Sequence, residues 1–131
     1  MTEHQMYEQI ARYLQLQYPK VIYRFDLAAD LKLTAGQAAK HKRIHNRRGY
    51  PDLFIAESRN GLHGLFIELK KAGTRLKKKD GTWASSHLEE QNEVLNNLQK
   101  KGYAAYFAVG FEEAKDIIDD YLGGTNGEVE F

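Results

Sequence analysis

The 131-residue chain contains no cysteine. That excludes disulfides, thiolate zinc sites and a cysteine nucleophile. No apolar run approaches the roughly 20 residues a membrane-spanning helix requires. The opening Met1-Thr2-Glu3-His4-Gln5 is polar and lacks the apolar core of a signal peptide. A soluble, cytosolic protein is therefore expected. A Walker-type phosphate loop and a Gly-rich dinucleotide fingerprint are both missing, as are internal repeats and low-complexity segments. The length suits one domain and one core. We place that domain at 1–124 and expect a poorly ordered tail at 125–131.

The net charge of +1 conceals segregation. Between Lys40 and Lys79 stand twelve Lys/Arg against three acids, a net of +9; the remainder carries seven basic and 15 acidic residues, a net of −8. A basic centre between acidic ends suits a polyanion. Charge runs are just as often solvated faces, so this feature alone does not decide the matter.

Periodicity outlines the elements. Thr2 caps a first helix whose Met6, Ile10, Tyr13 and Leu14 share a face, and Pro19 marks its exit. Val21 to Phe25 reads as a strand. Thr34 to Asn46 outlines a second helix with a weak apolar face. Asp52 to Glu57 and Leu62 to Lys70 read as strands joined by the turn signal Arg59-Asn60-Gly61, hence an antiparallel hairpin. Ala72 to Ser86 is a basic loop. The clearest helix runs from Ser86, as cap with Glu89 at the capping-box position, to Lys101; Leu88, Gln91, Leu95 and Leu98 form its stripe and Gly102 stops it. Tyr103 to Val109 is a strand and Glu112 to Leu122 a last helix. The class is α/β, with a mixed sheet of about four strands and helices on both faces.

Two short segments carry chemistry, Gly49-Tyr50-Pro51-Asp52 and Ile67-Glu68-Leu69-Lys70. Residues two apart in a strand share a face, so Glu68 and Lys70 project together. If their strands are neighbours, Asp52 converges on them. Two carboxylates and an ammonium are the minimum for holding Mg²⁺ or Mn²⁺ beside a phosphate and activating water. Asp52 and Glu68 each offer an oxygen, and the backbone carbonyl of Leu69 offers another. Lys70 is suited to orienting or deprotonating the attacking water, or to stabilising the transition state. A lone Glu-x-Lys is usually a simple ion pair; here Pro-Asp precedes it at hairpin spacing within a basic stretch.

Gln91 falls on the apolar stripe of its helix. It is either buried and hydrogen-bonded or a half-exposed rim residue. Glu3 aligns with Met6, Tyr7 and Ile10, whereas Glu8 lies off that face; favourable charge near a helix N-terminus would explain both. His41 and His45 share a helix face without an evident third ligand, which disfavours zinc. Lys42, Arg43, Arg47, Arg48, Lys71, Arg75, Lys77, Lys78 and Lys79 are the candidate phosphate contacts.

Taken in order, Gly49-x-Pro51-Asp52, Gly64-Leu65-Phe66-Ile67-Glu68-Leu69-Lys70, Gln91, Leu98-x-x-x-Gly102-Tyr103 and Gly110-x-x-x-Ala114 resemble the VRR-NUC domain of the PD-(D/E)XK nuclease superfamily. Thr2-Glu3-His4-Gln5 also resembles the start of stand-alone phage and bacterial members, and the likeness spans Glu3 to Leu122. The resemblance implies a restriction-endonuclease-like core and a metal-dependent endonuclease with Asp52, Glu68 and Lys70 at its centre. It adds Gln91 and a first-helix glutamate, for which Glu3 matches best and Glu8 is the fallback. The Val-Arg-Arg-like stretch behind the family name has Arg47-Arg48 as its nearest counterpart here. Stand-alone members imply a homodimer acting on branched DNA such as four-way (Holliday) junctions, in the cytoplasm of a bacterium or a phage-infected host. Symmetry agrees, since one site cuts one strand and a junction requires two matched cuts. The eight tyrosines suit an interface or a core equally.

Two other classes fit the residues less well. A non-catalytic nucleic-acid-binding module needs the basic stretch but not the acids. An enzyme of small phosphorylated substrates does not need a +9 centre.

Overall fold

A computed structural model describes residues 1–26, 33–45 and 47–123. The expected tail at 125–131 and Asn46, the expected end of the second helix, lie outside them. Chain order is α1 (Glu3–Gln17), β1 (Tyr23–Phe25), α2 (Ala35–Ile44), β2 (Leu53–Ile55), β3 (Leu65–Lys70), α3 (Ser86–Lys100), β4 (Ala104–Val109) and α4 (Phe111–Leu122).

The strands form one mixed sheet in the order β1-β2-β3-β4. β1 and β3 each pair antiparallel with β2, and β4 runs parallel to β3 with Glu68 opposite Phe107. The parallel pair needs a crossover, which α3 supplies. Alternation divides β3 between two cores. Leu65, Ile67 and Leu69 point into the larger one with Met6, Ile10 and Leu14 of α1 and Ala114, Ile118 and Leu122 of α4. Phe66 joins Leu95 of α3 and Ala105 in the smaller one. Helices thus cover both faces, as the pattern requires.

Local chemistry sets the boundaries. Thr2 and Gln5 form a reciprocal capping box, with Gln5 N–H donating to Thr2 Oγ1 at 3.1 Å and Thr2 N–H donating to Gln5 Oε1 at 2.7 Å. The strand expected at Val21 begins at Tyr23, because the Val21 N–H is spent on the Tyr18 carbonyl. The cap of α3 is Ser85 rather than Ser86: Ser85 is extended and accepts the Leu88 N–H at 3.2 Å. Glu89 therefore falls one place beyond the capping-box position. Gly102, at φ +96°, ends α3, and a Cβ there would stand 2.7 Å from the His63 ring.

α2 is capped by Thr34 and Gln37, yet none of its side chains is buried. Its weak apolar pattern corresponds to a helix without a core face. Its His41 and His45 rings stack at 3.9 Å.

Candidate active site

The sheet register creates the site. β2 pairs with β3 only as far as Leu53–Ile67, so Glu68, Leu69 and Lys70 run past the end of β2. Asp52, just before β2, fills the gap. Its Oδ2 accepts the Leu69 N–H at 2.8 Å. N–H and C=O of one strand residue share an edge, so the Leu69 carbonyl lies along the same opening. Gly49 brings the incoming chain close to α3. At φ +81° it sits in the left-handed conformation that favours glycine, 3.5 Å separating a would-be Cβ from the Gln91 Cα, an ordinary contact.

Asp52 is 5% exposed, Glu68 3% and Gln91 6%, and these are the buried polar or charged residues among those described. Gln91 is thus a core amide rather than a rim one: its Nε2 donates to Glu68 Oε2 at 3.0 Å. Lys70, half-buried, holds its Nζ 3.7 Å from the same oxygen. Burial of the α3 stripe and period-2 projection from β3 have brought together the acids, the lysine and the amide.

The electrostatics are those of two carboxyls sharing one proton. Burial, then the neighbouring Asp52, pushes Glu68 up to about 9, while Lys70 opposes the shift. Burial also raises Asp52, opposed by hydrogen bonds from Glu68, the Leu69 N–H and Tyr7. The hydrogen bonds from the Leu69 N–H and Tyr7 favour the ionised form of Asp52, and Asp52 in turn raises Glu68, so the proton of the pair resides on the Glu68 side. Glu68 Oε1 and Gln91 Oε1 are buried without any donor. A carboxylate oxygen in that position is satisfied by a proton shared with Asp52 or by a cation.

That donor set fits a hard divalent cation. Such ions take one or two carboxylates and keep several waters for the remaining positions. Asp52, Glu68 and the Leu69 carbonyl are the oxygens that could hold it; no group of three or more His, Cys, Asp or Glu gathers among the described residues.

The first helix reaches the site through Tyr7. Its hydroxyl donates to Asp52, and burial, then Asp52 and Glu3, raise its pKa strongly. Glu3 is half-buried on that side of α1, whereas Glu8 is exposed with its Oε2 3.2 Å from His4 Nε2. Sequence reasoning aligned Tyr7 with Glu3 but gave its hydroxyl no role. It also missed His87, whose Nε2 is 3.2 Å from Gln91 Nε2. The spacing of four before Gln91 on the same helix was the available signal.

The basic candidates lie at the surface. Lys42 and Arg43 occupy the last turn of α2, and Arg47 and Arg48 precede Gly49. Lys71 directly follows β3. Arg75 and Lys77 to Lys79 lie on the loop between β3 and α3, part of which folds back on itself: Lys77 bridges Trp83, and the Lys78 N–H donates to the Thr82 carbonyl at 2.8 Å.

No family model and no curated protein matches the chain by sequence. A solved structure described as a VRR_NUC domain protein does match, with a TM-score of 0.67 and 30% identity over 94% of this chain and 89% of that one. Identity at that level across nearly the full length of both, on a mixed sheet flanked by helices with an acid pair at its open end, establishes that this chain belongs to the VRR_NUC domain family and has its restriction-endonuclease-like nuclease fold.

Proposed function

We propose that the protein is a divalent-metal-dependent endodeoxyribonuclease that hydrolyses phosphodiester bonds, selective for branched DNA such as four-way junctions and active as a homodimer. Residues 1–124 form its single nuclease domain, and it works in the cytoplasm of a bacterial or phage-infected cell. The observation that carries this reading is the buried Asp52–Glu68 pair with Lys70 3.7 Å from Glu68 Oε2 and a donorless Glu68 Oε1. Burying two acids together is costly, and a fold tolerates it where a cation or a proton is the intended occupant.

Asp52, Glu68 and the Leu69 carbonyl would hold Mg²⁺ or Mn²⁺, which supplies positive charge to the phosphate and lowers the pKa of water. The Lys70 ammonium donates to the attacking water, aligns it and stabilises the negative charge that builds on the phosphoryl oxygens. Water oxygen forms the new bond to phosphorus as its proton passes to solvent, one ester P–O bond breaks, and the leaving oxygen takes a proton from solvent. Gln91 fixes the Glu68 carboxyl through its 3.0 Å hydrogen bond. Tyr7 does the same for Asp52, with Glu3 completing the acidic side of the site. Lys42, Arg43, Arg47, Arg48, Lys71, Arg75 and Lys77 to Lys79 bind the backbone of the duplex arms. An interface between copies is supported by edge strand β4, where Tyr106 is 47% exposed.

The test is incubation with linear duplex, single-stranded, flapped and four-way-junction DNA, with Mg²⁺, with Mn²⁺ and with chelator. Cleavage that needs the metal and is fastest on the junction supports the proposal. Equal cutting of every DNA removes the junction selectivity, and DNA binding without cutting under all conditions removes the enzyme.

A further inference from the structure

The loop between β3 and α3 presents its lysines on a small two-stranded turn. The Ala84 N–H donates to the Leu76 carbonyl at 2.8 Å, and the Gly81 N–H donates to the Lys78 carbonyl at 3.0 Å. Asp80 locks the tip by accepting the Thr82 N–H at 3.0 Å and the Thr82 hydroxyl at 2.6 Å. A tip that carries three lysines does not need this ordering to attract phosphate, since charge alone would do so. The ordering fixes one further side chain, Trp83, the only tryptophan in the protein.

Trp83 is half-buried. Its ring lies 5.5 Å from that of Phe107, which stands opposite Glu68 across the β3–β4 pair. Lys77 Nζ rests 4.6 Å from the Trp83 ring centroid. The indole also walls an open cavity of about 470 Å³ with Ser86, Asn92, Asn96 and three glutamates of α3, Glu89, Glu90 and Glu93. The lining is unsuited to phosphate, because its carboxylates repel it. It suits a neutral planar group with N–H donors: the glutamates accept from exocyclic amines, and the amides Asn92 and Asn96, four apart on one helix face, pair with donor and acceptor edges. Beside it, Lys77 to Lys79 provide the charge for the attached phosphate.

We propose that this cavity receives one unpaired nucleobase from the DNA strand adjacent to the scissile phosphate, stacked on Trp83 where Lys77 rests in the free protein. The proposal rests on the nuclease reading for its choice of DNA. Lys77 keeps the indole face covered, then moves to the phosphate when the base arrives. A base held in a paired arm cannot enter, so the cavity distinguishes flaps and branch points that carry an unpaired nucleotide from continuous duplex. Selectivity for branched DNA then comes from a site on the monomer.

The single tryptophan makes the test direct. The full-length protein, in chelator so that nothing is cut, is titrated with a blunt duplex, with the same duplex bearing a single-stranded flap, and with a flap whose junction-proximal nucleotides are abasic. Tryptophan emission and the anisotropy of labelled DNA are followed together. The flap should quench Trp83 strongly, and the duplex and the abasic flap should not. Trp83→Leu should weaken flap binding roughly tenfold, the usual worth of a base stacked on an aromatic ring, and leave duplex affinity unchanged. Trp83→Phe, which keeps a ring, should recover most of the loss. Duplex affinity reports folding of each variant. Equal quenching by all three DNAs, or flap affinity unchanged in Trp83→Leu, overturns the proposal. Since cleavage with metal is scored separately, a protein that cuts without selective quenching loses the base site and keeps the nuclease, and one that quenches without cutting loses the nuclease alone.

Discussion

Replacing Glu68 with glutamine should make the metal-free protein more stable while destroying its activity. In the free protein Glu68 sits between Asp52 and Gln91, pushed up to about 9 from an ordinary 4.5 by burial and by Asp52. The folded protein therefore holds a proton that the unfolded chain releases near pH 4.5. Stability from this group is fully present below that value and is lost as pH rises toward about 9. One proton of difference costs about 1.4 kcal/mol per pH unit across that window. Glutamine mimics the protonated acid: its carbonyl accepts from Gln91 Nε2, its amide donates to Asp52, and it does not titrate. Wild type and Glu68→Gln should match near pH 4.5 and diverge as pH rises. At about pH 8 the variant should lead by on the order of 3 kcal/mol, part of the full slope being relieved by rearrangement of the charged site. Urea unfolding in chelator, repeated across the pH range, measures the difference directly, because every titrating group outside the Asp52–Glu68 pair is common to both proteins. A flat difference against pH, or a variant less stable at every pH, would refute the shared-proton description. With saturating Mn²⁺ the order should reverse, since a cation stabilises only the protein whose acid pair can bind it.

Three further outcomes are expected. Reversing the charge of Lys77, Lys78 and Lys79 should weaken binding to every DNA and lower the salt slope by about one for each phosphate no longer neutralised, read from binding isotherms at several salt concentrations; an unchanged slope would take this loop out of the footprint. Light scattering should give dimer mass at assay concentrations, with paired symmetric cuts on a junction; monomer mass with unpaired nicks would remove the two-fold reading and leave the nuclease standing. Tyr13→Phe deletes the 2.5 Å hydrogen bond to Asp119, which also accepts from Tyr18 at 2.7 Å and fastens α1 to α4, and should cost about 1–2 kcal/mol in urea unfolding with cleavage unaffected.

How far the sequence revealed the site depends on the period of each signal. Asp52, Glu68 and Lys70 were legible because they end apolar strands, where period-2 alternation assigns faces without a structure. Gln91 was legible as an amide on a leucine stripe, but the sequence left it between core and rim, and only the packing of α3 on Phe66 and Ala105 decides for the core. Tyr7 was hidden by its own pattern: on a helix face with Met6 and Ile10 it reads as core, and its hydroxyl matters only because β2 begins where Asp52 can reach it. The short pairing that fixes Trp83 is too brief to show any alternation, so it read as loop. Charge segregation located the basic centre, but α2 buries no face, and its lysine and arginine are assigned to DNA by charge alone.

The most direct test of the central claim is the rate of phosphodiester cleavage on a four-way junction for wild type, Asp52→Asn and Lys70→Met, each with Mn²⁺ and with chelator, after circular dichroism has shown all three folded. The expected result is cleavage by wild type with Mn²⁺ alone, and a loss of at least about a hundredfold in either variant, the scale of removing one electrostatic stabiliser from an active site. Cleavage by wild type in chelator, or near-normal rates in both variants with Mn²⁺, would contradict the assignment of chemistry to the acid pair and Lys70.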